Sequence, residues 1–268
     1  MAADTIPSLP DLHAQMLDRV LAAVRSDDRF EALLGTGSLA YGGFDEHSDL
    51  DFVIVVRAAD HAAAMAGRQA FAAGLGSLLA AFGGEHVGEP RLLICLFGPP
   101  LLHVDLKFIV PGDLSALSER PVVLWARNPG DLERRLAGMT VSGLDRDAQW
   151  YEDRAWVWLH YVATKLLRGE HFEAIGGLDF FRDQVLGAML QRNAGRRPRG
   201  VRRVEDVEGA KALLAPTLPS TGHRSIAEAL KRSAALYVEL RAAEPPSSPV
   251  KGMPGLLLDF VDGKQSRA

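Results

Sequence analysis

The sequence is nearly without cysteine: Cys95 is the single one among 268 residues. One cysteine cannot form an internal disulfide or a cysteine-rich zinc site, so both are excluded. No run reaches the roughly 18 uncharged apolar residues that a membrane-spanning helix needs. The N-terminus from Met1 to Asp11 has neither the basic nor the apolar region of a signal peptide. We therefore expect a protein of the reducing cytoplasm without a membrane segment.

The sequence also lacks a basic excess, with 30 Lys and Arg against 34 Asp and Glu and a net charge of −4. Proteins that mainly bind nucleic acid usually carry such an excess, so nucleic acid is not the expected partner. No Gly-x4-Gly-Lys-Ser/Thr run occurs, which argues against a P-loop kinase. With 47% hydrophobic and 24% charged residues, the composition is typical of a globular protein and excludes disorder as the dominant state.

Apolar spacing in the first half predicts both helices and strands. A compact β-branched run indicates a buried strand at Leu50–Val56, and Gly98-Pro99-Pro100 indicates a hairpin turn. The remaining elements predicted in this half are helices at Leu12–Val24 and Ala58–Phe82, the latter closed by Gly83-Gly84, a short apolar run at Phe30–Leu34, and strands at Arg91–Phe97 and Leu101–Val110.

After Pro111 the pattern becomes helical throughout. The predicted helices are Asp113–Leu117, Pro129–Leu136, Asp147–Arg168, Phe172–Asn193, Val207–Leu214 and Ser225–Ala243, with a short terminal segment at Leu256–Phe260. The chain therefore divides into a mixed first half and an all-helical second half.

Chemistry-bearing residues concentrate between the first two predicted strands. Gly37-Ser38 follows the first, and Asp49-x-Asp51 stands at the head of the second. Because strand side chains alternate, Asp49 and Asp51 should point to one face. Glycine lets the backbone approach an anion closely, and the Ser38 hydroxyl with nearby N–H groups can hold phosphate oxygens.

A third carboxylate, Asp105, alternates with apolar residues in the strand from His103 to Ile109. If this strand lies beside that of Asp51, three carboxylates meet. Converging negative charges call for a cation, and hard divalent ions prefer oxygen ligands, so we expect Mg²⁺ or Mn²⁺. Three acids beside a phosphate-holding turn suggest two-metal phosphoryl chemistry.

Together Gly37-Ser38, Gly42, Ser48-Asp49-x-Asp51 and Asp105 resemble the signature of the DNA polymerase beta-type nucleotidyltransferase superfamily. The resemblance covers roughly the first 110 residues. Its layout, with helices after the core, is similar to that of the bacterial aminoglycoside and lincosamide nucleotidyltransferases. It implies an α+β fold: a small mixed sheet flanked by helices over residues 1–118, then an all-α domain over 119–268.

The resemblance also implies transfer of a nucleoside monophosphate from an NTP, with ATP the expected donor, to a hydroxyl of a small molecule, with release of pyrophosphate. Asp49 and Asp51 would bind both metals, and Asp105 the catalytic one. Asp105 would also help to deprotonate the acceptor. Gly37 and Ser38 would hold the triphosphate, and Lys165, on the Asp147–Arg168 helix, is the candidate for a further triphosphate ligand.

For other residues, near these motifs or outside them, a purely structural role competes with a functional one. Lys165 is equally well read as an exposed lysine near a helix C-terminus, where the dipole favours cations. His103 and Lys107 share the face of Asp105 and could adjust its pKa, whereas His47 is read as a solvent-exposed turn residue. The tryptophans at 150, 156 and 158 are read as core, and the six arginines of 192–203 as a solvated linker with acidic partners.

Two alternative functions stay open. The same fold could adenylylate a protein hydroxyl, or it could serve as a nucleotide-binding regulator without catalysis. The presence of all three carboxylates with Gly37-Ser38 favours catalysis. The sequence leaves the acceptor, the base preference and the oligomeric state undetermined.

Overall fold

The computed structural model describes residues 8–139 and 146–264. The chain forms two compact units, Met1–Gly143 and Leu144–Ala268. Most of the segment in which no signal peptide is expected, residues 1–7, lies outside the described residues. No helix in the described ranges has both the length and the apolar character needed to cross a membrane.

The first unit contains one sheet of six strands and its flanking helices. In chain order its elements are α1 (Asp11–Ser26), β1 (Phe30–Gly35), α2 (Ser38–Tyr41), β2 (Leu50–Val56), α3 (His61–Gly74), β3 (Leu78–Gly84), β4 (Glu89–Phe97), β5 (Leu102–Ile109), β6 (Val122–Ala126) and α4 (Pro129–Ala137).

The strand order is β3-β4-β5-β2-β1-β6. β2 and β5 pair in parallel, and the other neighbouring pairs are antiparallel. The predicted neighbourhood of the Asp51 and Asp105 strands is thus confirmed, and both strands lie in the middle of the sheet.

Successive side chains of β2 point to opposite faces of the sheet, and the two faces pack into different layers of the core. Phe52 and Ile54 belong to the layer that also contains α1 residues, whereas Val53 and Val55 pack with Leu132 of α4. Asp51 has the parity of Val53 and Val55, so it stands on their face of the sheet.

The predicted helix over Ala58–Phe82 is wrong in its last third. The helix α3 ends at Gly74, and Leu78–Gly84 instead forms β3, which pairs antiparallel with β4. Leu and Ala favour a helix by intrinsic propensity, but the hydrogen bonds to β4 outweigh that preference.

The expected boundary between residues 118 and 119 also needs correction. Val122–Ala126 forms β6, which pairs antiparallel with β1, and α4 packs on the same sheet. These elements belong to the first unit, which extends to Gly143.

The second unit is helical in its described part, apart from an isolated bridge between Arg199 and Val201. The predicted helix over Phe172–Asn193 is continuous but contains a π segment at Arg182–Gly187. The helices are α5 (Ala148–Leu167), α6 (His171–Phe181), α7 (Ala188–Asn193), α8 (Ala210–Leu214), α9 (His223–Leu240) and α10 (Gly255–Val261).

The α+β fold class is thereby confirmed: a mixed sheet with flanking helices, followed by a helical unit. The start of α5 illustrates how the sequence sets an element. Asp147 is the N-cap, and its carboxylate accepts the Trp150 N–H at 2.7 Å. Such a cap satisfies one of the backbone donors that the first helical turn leaves unpaired.

Candidate functional site

The turn between β1 and α2 brings backbone against a carboxylate. Gly37 has φ +59°, a left-handed conformation that glycine adopts without strain. A Cβ at Gly37 would lie 2.1 Å from Asp51 Oδ2, so no larger residue fits while Asp51 keeps its position. The Thr36 N–H also donates to the Asp51 carbonyl at 3.0 Å. The turn is therefore fixed to the start of β2.

Asp51 and Asp105 stand opposite each other on the central parallel strands. Paired positions of a sheet present their side chains on one face. Burial raises the pKa of the Asp105 carboxyl, nearby His103 opposes the rise, and the negative charge of Asp49 adds to it. Asp49 is thus near enough to Asp105 for their repulsion to matter. The structure thus places Asp51 and Asp105 side by side, and Asp49 acts on Asp105 through its charge.

His103 contacts Asp105 directly, with Nε2 2.9 Å from Asp105 Oδ1. Lys107, the other residue on this face, pairs instead with Glu89 at 2.7 Å. Glu89 also binds Arg91. This bond, together with the bond and charge of Lys107, lowers the pKa of the Glu89 carboxyl to about 2. Of the two residues expected to adjust Asp105, only His103 makes this contact in the described structure.

Ser38 opens α2 directly after Gly37. Its Oγ is buried and has no hydrogen-bond partner among the described residues. Burying a hydroxyl in this way costs free energy that a hydrogen-bonding ligand would recover. The serine that the sequence assigned to phosphate binding is therefore left without a hydrogen-bond partner by the described part of the chain.

Glu119 is a residue of this site that sequence reasoning missed. Its Oε1 accepts the Gly37 N–H at 2.6 Å. The next residue, Arg120, donates its backbone N–H to the Tyr41 hydroxyl at 3.1 Å. The segment 119–120 is thus bonded to both ends of the Gly37–Tyr41 turn. No sequence signal marks Glu119, because it lies 82 positions from its partner.

His13 on α1 is a second residue that was missed. It is 2% exposed, and its Nε2 lies 2.8 Å from the Ser48 carbonyl. The other ring nitrogen, Nδ1, is buried with no hydrogen-bond partner among the described residues. The contact ties α1 to the residue immediately before Asp49.

Lys165 lies in the second unit, where its ammonium pairs with Glu170 at 2.8 Å and with Glu173 at 3.0 Å. These bonds raise its pKa. His47 behaves as the turn residue that the sequence predicts, with 88% of its side chain exposed.

The arginine segment of 192–203 is folded onto the second unit. Gln191 donates to the carbonyls of Gly200 and Arg202, at 3.0 and 2.8 Å. Arg196 pairs with Asp206, one of the acidic partners expected from the sequence. Among the tryptophans, Trp156 is in the core, whereas those at 150 and 158 are partly buried against it.

The carboxylates near Gly37 suit a divalent cation in their chemistry but, in the described part of the chain, are not gathered closely enough to hold one. Among the described residues, no group of three or more His, Cys, Asp or Glu side chains is placed so that it could hold a metal ion. The donors are nevertheless of the kind that Mg²⁺ prefers, carboxylate oxygens. The raised pKa of Asp105 has the causes that a bound cation would offset, burial and the charge of Asp49. The donor set fits in chemistry, and the side chains would have to draw together around the ion.

No family model matches the chain, and no curated protein matches it. Among solved structures it is similar to an aminoglycoside 6-adenyltransferase from Bacillus subtilis, with 16% identity over 92% of this chain and 94% of that chain and a TM-score of 0.36. It is also similar to a nucleotidyltransferase-like protein from Exiguobacterium sibiricum 255-15, with 11% identity over 86% of this chain and 76% of that chain and a TM-score of 0.38. At TM-scores this low, the activity has to be argued from the site residues themselves.

Proposed function

We propose that this chain is a metal-dependent nucleotidyltransferase that transfers a nucleoside monophosphate, AMP from ATP in the first instance, to a hydroxyl of a small molecule. The observation that carries the proposal is the position of Asp51. It packs against Gly37 of the turn and stands opposite Asp105 in the sheet. Asp51 therefore connects a turn suited to phosphate with a carboxylate pair suited to divalent cations.

Gly37 and Ser38 would hold the triphosphate. The Gly37 N–H can donate to a phosphate oxygen, and the buried Ser38 Oγ would gain the partner that it lacks among the described residues. A phosphate at this turn needs no positive side chain from the turn itself, because backbone donors supply the contact.

Asp49, Asp51 and Asp105 would hold Mg²⁺ or Mn²⁺. Divalent cations at such a site neutralise phosphate charge and make an acceptor hydroxyl easier to deprotonate. Asp105 would accept the proton of the acceptor hydroxyl. At the same time the hydroxyl oxygen would bond to the α-phosphorus, and the bond from the α-phosphorus to pyrophosphate would break.

Lys165 is proposed as a further ligand of the triphosphate. In the described structure its ammonium is engaged by Glu170 and Glu173. Binding of a nucleotide would exchange these carboxylates for phosphate oxygens, so Lys165→Ala should raise the KM for ATP more than it lowers kcat.

The test is a transfer assay on the full chain with each NTP, Mg²⁺ and a panel of small hydroxylated compounds that begins with aminoglycosides and lincosamides. We expect pyrophosphate release and a mass increase of the acceptor by one nucleoside monophosphate. Asp105→Asn should lower the rate by roughly 10²- to 10⁴-fold, the usual effect of removing a general base, while nucleotide binding persists. A mass increase on a co-purified protein would instead favour protein adenylylation. Absence of pyrophosphate release with every NTP and acceptor would contradict the assignment.

A further inference from the structure

The second unit contains a cavity of about 470 Å³ between α5 and α6. This volume falls within the range of small-molecule sites. Most of the lining surface is apolar, and one lining side chain carries a charge. The lining residues are Trp158, Tyr161, Glu173, Gly176, Gly177 and Phe180.

Aromatic rings form the walls of this cavity. The rings of Trp158 and Phe180 have centroids 5.0 Å apart and planes at 79°, so they form adjoining walls and not a parallel slot. Tyr161 is 46% exposed. The faces of such rings carry negative charge density and attract cations. Tyr161 already has a cation near its ring, since Lys165 Nζ lies 5.1 Å from the ring centroid.

Glu173 supplies a full negative charge at the cavity. Bonds from the Tyr161 hydroxyl and from Lys165 lower the pKa of Glu173, which keeps it ionised. Both of these bonds end on the same oxygen, Oε1, so Oε2 lies outside them and can face the positive charge of a ligand. Lys165 is shared with a second carboxylate, Glu170, which also pairs with Arg168 at 3.9 Å. Glu173 therefore shares its ammonium partner with Glu170, and it is the charged side chain that lines the cavity.

Two glycines of α6 line the cavity, and one of them leaves room for an occupant. Gly177 packs closely on α5, where an added Cβ would lie 2.8 Å from Val162 Cγ2. At Gly176 an added Cβ would meet no atom within 4 Å. Glycine in a helix costs up to about 1 kcal/mol relative to alanine, and the open space beside Gly176 is part of the cavity.

We propose that this cavity binds an organic cation, a quaternary or alkylated ammonium compound with an apolar body, which rests on the faces of Trp158, Tyr161 and Phe180 with Glu173 as its counter-ion. Charge complementarity selects this class of ligand over a neutral apolar one, and the crossed planes of the walls disfavour a sandwiched flat base. The inference rests on the second unit alone and does not depend on nucleotidyl transfer.

The test compares two probes of nearly equal shape, 3-hydroxyphenyltrimethylammonium and its neutral isostere 3-tert-butylphenol, titrated into the full chain and followed by tryptophan fluorescence. We expect the cation to bind on the order of tenfold more tightly than the isostere, the size of effect that a desolvated cation on aromatic faces produces. Glu173→Gln should weaken binding of the cation and leave that of the isostere nearly unchanged.

Gly176→Leu should fill the cavity and abolish binding of both probes. Its matched control is Gly67→Leu in α3, a helical glycine that likewise has no atom within 4 Å of an added Cβ. The control should bind both probes as the native chain does. Equal affinities for the two probes, binding that survives Gly176→Leu, or no binding at millimolar concentration would each overturn the proposal. Displacement of the cation by adenosine, which lacks the triphosphate proposed to bind Lys165, would assign the walls to a nucleobase instead and also overturn it.

Discussion

Gly37 is the residue on which the geometry of the proposed site depends. It combines a positive φ with close contact to the Asp51 carboxylate. Gly37→Ala should lower kcat/KM for nucleotidyl transfer by roughly 100-fold, because a displacement of catalytic groups by about 1 Å has an effect of this size. The measurement is steady-state kinetics on the purified variant, together with its melting temperature.

Gly88 provides the matched control, because it lies outside the motif and also has a positive φ, +73°, but an added Cβ meets nothing within 4 Å. Gly88→Ala therefore carries the backbone strain, about 1–3 kcal/mol, without the collision. Its stability should fall by an amount similar to that of Gly37→Ala, while its activity stays near the native value. Equal loss of activity in both variants would contradict the role of the Asp51 contact.

Glu152 is a charged residue of the second unit that serves the fold. It is fully buried and accepts hydrogen bonds from Trp156 Nε1, Tyr237 Oη and Arg241 Nη1, at 2.9, 2.6 and 2.5 Å. Glu152→Gln removes the charge that compensates Arg241, so the free energy of unfolding should fall by about 3 kcal/mol. Glu244→Gln, which breaks an exposed pair with Arg192, should cost under about 1 kcal/mol. Urea unfolding measures both, and similar losses would refute the distinction.

At the scale of elements, the segment after the 3₁₀ turn Pro111–Ala116 would compete with the proposed nucleotide for the Gly37 turn. Glu119 presents a carboxylate to the same N–H that a phosphate oxygen would take. Since a hydrogen bond to a charged group contributes about 1.5–3 kcal/mol, Glu119→Gln should tighten ATP binding on the order of tenfold. Calorimetric titration with ATP and Mg²⁺ measures the change.

The control for charge is Glu133→Gln, an exposed residue of α4 in the same unit. It makes the same change in net charge and should leave the affinity for ATP unchanged. A weaker affinity in Glu119→Gln would mean that Glu119 assists binding instead of opposing it.

The elements that the sequence predicted correctly are those with strong local signals. The apolar spacing of Leu12–Val24 and the β-branched run of Leu50–Val56 each coincide with an element of the structure. β3 was misread because its Leu and Ala residues favour a helix locally. β6 was missed although Val122-Val123 is β-branched, because its status depends on pairing with β1, 90 positions earlier in the chain.

At the scale of the whole molecule, the sequence allows spatial neighbours to be predicted when they are close along the chain or lie on neighbouring strands. The adjacency of Asp51 and Asp105 was predicted in this way, and the pairing of their strands confirms it. Glu119 and His13 could not be found, because their contacts with the turn and with Ser48 arise only when distant segments pack.

The central claim is that the first unit binds an NTP through a divalent cation held by carboxylates. Its most direct test is calorimetric titration of the full chain with each of the four NTPs, with and without Mg²⁺. The same titrations are made on Asp49→Asn/Asp51→Asn and on Asp18→Asn/Asp259→Asn, a control that changes two exposed aspartates. We predict Mg²⁺-dependent binding that the native chain and the control share and that Asp49→Asn/Asp51→Asn loses while it remains folded. NTP binding that survives in Asp49→Asn/Asp51→Asn, or that is absent from the folded native chain, would contradict the account.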